Sequence, residues 1–173
     1  MNSLQHTSMN FTGQNAGAGN YRRVKSINRI CLLYVTLVGL CMSALLYGFG
    51  RPLLGIYIQD SAEAIECGIT RMSFVCLPYF LCGIMDTVTG SLRGMGYSTL
   101  PMLTAILGVV VMRIGWILTV FRIPEFHTLS GLYVSYPVSW IITFAAQAVM
   151  FSVILRKILR ENPPHPADDS PDE

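Results

Sequence analysis

Charge is scarce in this sequence. Of 173 residues only 13% are Asp, Glu, Lys or Arg and 52% are hydrophobic, whereas an ordinary soluble domain carries about 25% charged residues. A net charge of +2 with no basic patch interleaved with aromatics points away from nucleic acid as a partner. The five cysteines (Cys31, Cys41, Cys67, Cys76 and Cys82) contain no CxxC pair, and His6, His127 and His165 share no ligand spacing. No metal site is therefore indicated, and the cysteines read as small buried hydrophobes. No nucleophile stands beside a base, so no enzyme is indicated. Gly94-Met95-Gly96 lacks the preceding strand and the remaining fingerprint of a phosphate loop. The polar N-terminus has no apolar core before a small-residue cleavage site and does not read as a secretory leader.

What the chain has instead is long apolar runs. A helix crosses a bilayer with about 20 apolar residues. Four segments reach that length: about Ile30 to Gly50, Arg71 to Leu92, Thr99 to Phe121, and Ser130 to Leu155. They lack the polar face of soluble helices. The reading is an all-α, polytopic transmembrane helix bundle. Asp60 with Glu63 forms a capping-box pattern, so the second helix is expected to start ahead of the membrane. Ser98 is expected to cap the third helix, with Pro101 tolerated in its first turn. Pro78 and Pro137 fall inside spans, where each removes a backbone donor. Each kink then has to face protein or water.

Lys and Arg alternate across the flanks. Arg22, Arg23, Lys25 and Arg29 precede the first span, Arg93 lies between the second and third, and Arg156, Lys157 and Arg160 follow the fourth. The other side has Arg51, Arg71 and Arg122, diluted by Asp60, Glu63, Glu66 and Glu125. The positive-inside rule puts the first set, and with it the C-terminus, in the cytoplasm of a multi-pass inner-membrane protein. Arg93 then anchors the inner end of a helix, and Gly94 and Gly96 allow a tight reversal. Residues 161–173 are proline-rich and acidic and read as a disordered tail. Residues 21–160 form the four-span region.

Residues 1–20 are too polar to face lipid alone. Gly13-xxx-Gly17 has the small-xxx-small spacing that lets membrane helices approach closely, and Gln14 and Asn15 are expected to hydrogen-bond across helices. The segment reads as the end of a transmembrane helix whose polar side faces a cavity, or another helix that this chain need not supply.

Two charges lie within spans. Asp86 sits about 10 Å along the helix from Arg93, in the inner half. It either binds and releases a coupling proton or sodium, or serves as a structural partner for Arg93 or another helix. Arg113 sits in the outer half, about 13 Å from Arg122, and either reaches toward Asp86 through water or hydroxyls or snorkels and bonds carbonyls. Tyr79, Tyr136, Trp140 and Gln147 are cavity candidates for amphipathic cations, with ordinary interhelical packing as the alternative. Met85, Met95 and Met102 divide the same way between soft ligand contacts and packing.

The ordered set of stretches resembles a known family. Phe11 to Lys25 (FTGQNAGAGNYRRVK) resembles the end of the eighth helix of multidrug and toxic compound extrusion (MATE) transporters. Gly90 to Met102 (GSLRGMGYSTLPM) resembles their junction between helices ten and eleven. Met112 to Trp116 (MRIGW) and Tyr136 to Trp140 (YPVSW) resemble their eleventh and twelfth. The resemblance implies helices nine to twelve plus the end of helix eight, with a missing N-terminal lobe (helices one to seven) as partner beside the lipid bilayer. It implies export of drugs or organic cations in exchange for H+ or Na+ by alternating access, with no cofactor beyond that ion. Two other readings stand beside it. One is a small four-helix membrane interaction protein; the other is a lipid-linked oligosaccharide flippase, for which a more cationic cavity than Arg113 alone is expected.

Overall fold

The computed structural model describes residues 2–57, 62–123 and 128–161. Helix α1 (Asn2–Gly17) is followed by α2 (Tyr21–Gly48), a short α3 (Gly50–Tyr57), α4 (Ala62–Val75) and α5 (Tyr79–Gly94). Next come α6 (Thr99–Ala105), a π-helical segment (Ile106–Val111), α7 (Met112–Leu118) and a single 3-10 turn (Val120–Arg122). The chain closes with α8 (Leu129–Tyr133) and α9 (Ser135–Glu161). No strand occurs among the described residues. Four helical stretches are long and apolar enough to cross a membrane: Tyr21–Gly48, Glu63–Gly94, Thr99–Arg122 and Ser130–Glu161. They confirm the four expected spans but extend them. The first begins nine residues before Ile30, at Tyr21, because the basic flank is already helical.

The polarity of the bundle is turned outward. Leu33, Leu37, Leu107, Ile114, Val149 and Val153 are exposed, while Ser8, Thr12, Asn28, Thr87, Ser91 and Gln147 are buried. Water would reverse that distribution. In lipid the apolar side chains are content outside, and polar groups find partners only within the protein.

Helix α5 is the hub, touching α1, α2 and α9. Val88 and Leu92 of α5 pack with Val24 of α2 and with Phe151 and Leu155 of α9 in one buried cluster. On its other side α5 meets α1 almost backbone to backbone, and the two run parallel. A Cβ at Gly90 would collide with the Gln5 carbonyl, and one at Gly94 would lie 2.5 Å from the Met9 carbonyl oxygen and 2.8 Å from Thr12 Cβ. The small-residue spacing that brings the helices together is thus Gly90-xxx-Gly94. Of the expected Gly13-xxx-Gly17 pair, Gly13 approaches the Gly94 carbonyl, whereas Gly17 has open space around it. The partner of α1 is supplied within the chain.

Hydroxyls complete this contact. Ser8 Oγ lies 2.7 Å from Ser91 Oγ, and Ser91 Oγ donates to Asn28 Oδ1 at 2.8 Å. Because Ser91 donates to Asn28, the proton between the two hydroxyls comes from Ser8, which shares it with the Thr87 carbonyl at 3.1 Å; the chain ties α1, α5 and α2 together. Gln14 and Asn15 do not make the expected bridges. Asn15 Nδ2 donates to Phe11 O in its own helix, and Gln14 is exposed on the side of α1 turned away from the seam.

Helices α1 and α5 end alike. Asn20 N–H donates to Asn15 O and Gly19 N–H to Ala16 O; Tyr97 N–H donates to Leu92 O and Gly96 N–H to Arg93 O. With φ of +74° at Gly19 and +91° at Gly96, both are Schellman endings, in which glycine adopts the left-handed conformation. Gly96 therefore makes the reversal expected after Arg93, while Gly94 serves the close approach. Ser98 holds the N-cap position of α6 but makes no side-chain capping bond. Pro101 lies in the first turn of α6 and is buried.

Pro78 separates α4 from α5, and at the break the Cys76 carbonyl accepts from Ser43 Oγ of α2 at 2.7 Å. The expected protein partner for the kink is present. Pro137 falls in the first turn of α9, just after the break at Val134, where a missing donor is tolerated. Asp60 lies outside the described residues, as do residues 162–173 of the tail; Glu63 stands in the first turn of α4. Arg51 Nη2 pairs with Glu66 Oε1 at 2.7 Å, an exposed link between α3 and α4.

Gly94→Val should wedge α1 from α5 and cost about 1–3 kcal/mol, whereas Gly17→Ala should stay within about 0.5 kcal/mol of the parent. Thermal unfolding of the purified chain in detergent reads both. Ser91→Ala should cost about 1–2 kcal/mol by leaving Asn28 without its donor, and a double-mutant cycle with Ser8→Ala should show the two losses to be non-additive.

Candidate functional site

Tyr79, Cys82 and Asp86 are spaced by three and four residues on α5 and so share one helix face. Tyr79 sets its ring edge-on to Trp140 of α9, centroids 6.0 Å apart, and Trp140 meets Tyr136 in the same manner at 6.1 Å. Arg113 enters this cluster from α7. Its guanidinium carbon lies 4.1 Å from the Tyr136 ring centroid and 5.9 Å from that of Trp140. Its Nε donates to Ser139 Oγ at 3.3 Å, and Ser139 in turn donates to the Tyr136 carbonyl at 2.8 Å. Three of the four cavity candidates are thereby brought together with Arg113, on aromatic faces and a hydroxyl rather than on carbonyls.

The π-helical segment just before α7 aims Arg113. An inserted π-turn adds roughly one residue, which rotates everything beyond it by about 100° around the helix. Gly108 inside that segment lies against the Thr143 side chain of α9 with no room for a Cβ. The close contact and the altered winding together turn Arg113 toward α9. Trp116 Nε1 fixes the far end by donating to Gly131 O at 3.0 Å. The sequence offered one signal for this, a lone glycine in an apolar run, and it was not enough to infer the π-turn.

Gln147, the fourth candidate, lies elsewhere. It is fully buried between α9 and α5, with its amide 2.9 Å from Thr89 Oγ1. Thr89 Oγ1 is also 3.1 Å from Met85 O, and its single proton serves only one of these. Turning the amide so that Nε2 donates to Thr89 lets Thr89 donate to Met85, which removes an otherwise unpartnered buried N–H.

Asp86 is half-buried and makes no hydrogen bond or ion pair among the described residues. Arg93, two turns on, is exposed in the last turn of α5, where a cation suits the helix C-terminus. The two make no contact ion pair, although the Arg93 charge still acts on Asp86 across the gap. The charge of Asp86 acts on Tyr79 and Cys82, and that of Arg113 also reaches Cys82. Met85 is buried beside Asp86, Met95 packs on the α2–α5–α9 cluster and Met102 is exposed. No cluster of three or more His, Cys, Asp or Glu occurs among the described residues.

Two further features were missed in the sequence. The pattern T-G-x-x-x-G-x-G occurs at Thr12–Gly19 and again at Thr89–Gly96, and it marks both helices of the α1–α5 contact together with their matched endings. A second is the makeup of the polar side expected on α1: its exposed stripe is Ser3, His6, Asn10 and Gln14, at helical spacing, residues that the sequence alone did not single out as a stripe.

The MatE family model matches residues 3–119, about two thirds of the chain, from the start of α1 through α7. No curated protein and no solved structure matches the chain. The family match includes the α1 and α5 endings and the Arg113 segment, and stops before Tyr136–Trp140. With that match and four helices able to cross a bilayer, the chain belongs to the MatE family of multi-pass membrane transport proteins.

Proposed function

We propose that this chain is the C-terminal part of a secondary transporter that exports drugs or organic cations in exchange for H+ or Na+ by alternating access. Asp86 is the coupling residue in this reading. The observation that carries it is a half-buried carboxylate on the central helix with no partner among the described residues. A charge held at membrane depth without a partner is costly, and binding a proton or sodium relieves that cost. The ion can shift the transporter between its two arrangements only by as much as its affinities for them differ. A carboxylate on the hub helix is well placed for this, because any change in how α1, α2 or α9 packs on α5 alters its surroundings.

The exposed polar stripe of α1 fits the same reading. Ser3, His6, Asn10 and Gln14 do not suit lipid, and in this proposal they face the central cavity opposite the N-terminal lobe. The basic flanks put that end of α1 and α5, and the C-terminus of α9, on the cytoplasmic side of the cell membrane.

Asp86→Asn in the full-length transporter should reduce ion-gradient-driven efflux by about tenfold or more, the scale of a lost coupling free energy, at unchanged protein level. Asp86→Glu should retain part of it. Imposing a pH gradient and a sodium gradient separately identifies the ion. Full efflux by Asp86→Asn would remove this residue from coupling.

A further inference from the structure

The aromatic cluster suited to an organic cation already holds one. The guanidinium of Arg113 lies over Tyr136 and near Trp140, so a second cation would meet both a filled ring face and a like charge. Among the described residues no carboxylate pairs with Arg113, and Nε, bonded to Ser139, is its one hydrogen-bonded nitrogen. The two terminal NH2 groups carry donors and positive charge that no described residue answers. The guanidinium is held over the Tyr136 ring by that contact and by the Ser139 bond, and Arg113 is only half-buried; a planar fork matches a carboxylate in two parallel hydrogen bonds. Tyr79, exposed and edge-on to Trp140, offers an apolar wall beside it.

We propose that Arg113, Tyr79 and Tyr136 form a recognition site for the anionic group of an aromatic ligand, carboxylate or sulfonate, with the ligand's ring against exposed Tyr79 and buried Trp140 backing the cluster from behind. This rests on the transport reading for its role, since it assigns the acidic end of the transported amphipath to the outer half of the bundle. The binding itself needs no transport. Desolvation strengthens the match: a guanidinium is weakly hydrated for its charge, and an arriving carboxylate neutralises it where little water competes.

The test uses the full chain in phosphatidylcholine nanodiscs. Isothermal titration calorimetry of the chain with both tryptophans in place reads the affinity of each probe, so the Trp116–Gly131 bond that holds the Arg113 segment stays intact. Three probes of one shape are compared: 2-naphthoate, neutral 2-naphthamide and cationic 2-naphthylmethylammonium. Naphthoate should bind about tenfold tighter than naphthamide, the scale of a charge-assisted bidentate pair, and the ammonium more weakly than either. Arg113→Gln should abolish the preference for naphthoate, and Arg113→Lys, which keeps the charge but not the fork, should keep only part of it. Equal binding of naphthoate and naphthamide, or a preference that survives Arg113→Gln, would overturn the proposal. Should Arg113→Gln fail to fold, the ranking of the three probes by the chain with Arg113 intact still decides, and ammonium binding as tightly as naphthoate overturns it. The transport reading stands or falls separately: export that no longer needs Asp86 leaves this site intact, and naphthoate indifferent to Arg113 leaves gradient-driven export intact.

Discussion

The backbone contact of α1 with α5 is what the rest of the bundle depends on. Lipid gives no hydrophobic drive for helices to associate, so association has to come from close packing and internal hydrogen bonds. Gly90 and Gly94 remove the side chains that would keep the axes apart. Only at that separation can a hydroxyl as short as Ser8 reach Ser91, and through it Asn28. The bonded seam in turn fixes the rotation of α5. With Thr87 and Ser91 turned toward α1, the face carrying Tyr79, Cys82 and Asp86 is set beside it, and Thr89 is presented to Gln147 of α9. The positions of the candidate site residues therefore follow from two glycines that touch none of them.

The spans were legible in the sequence because their cause is local: a run of apolar residues is a property of the run. Lys and Arg flanks and the glycine turn after Arg93 are likewise local. Partnership was not. Gly13-xxx-Gly17 and Gly90-xxx-Gly94 look alike on paper, yet only the second lies at the contact, because the register between α1 and α5 decides which glycine meets a backbone. The hydrogen-bonding roles expected of Gln14 and Asn15 passed to Ser8 for the same reason. Longer amides reach farther, but at this separation the shorter side chain fits, while Asn15 bonds back to its own helix and Gln14 points outward.

The candidate site shows the same division. That Tyr79, Tyr136 and Trp140 belong together was legible as a grouping of amphipathic aromatics. Arg113 among them was not, since its direction is set by the π-helical segment and by the contact of Gly108 with Thr143, and neither has a period in the sequence. An ideal α-helix through the same residues would aim residue 113 about 100° away. Local winding here determines whether a charge faces lipid or a cluster of rings.

Two opposite charges in one sector of a membrane protein would ordinarily be expected to meet. On a helical rise of 1.5 Å per residue, Asp86 and Arg113 differ in height by about 8 Å. At an effective dielectric constant near 20, opposite charges at about 8 Å attract by roughly 2 kcal/mol and at about 4 Å by roughly 4. Because the height difference is a lower bound on their separation, the gain on closing the gap is about 2–4 kcal/mol. A cation over a desolvated aromatic face gains about 2 kcal/mol, and Arg113 has such a face in Tyr136 together with a bond to Ser139. The ring contact and the Ser139 bond offset much of that gain, and among the described residues no contact ion pair joins Asp86 to Arg113. In the proposed reading, the carboxylate is thereby left to a coupling ion and the guanidinium to an anionic group, and neither charge is spent on the other.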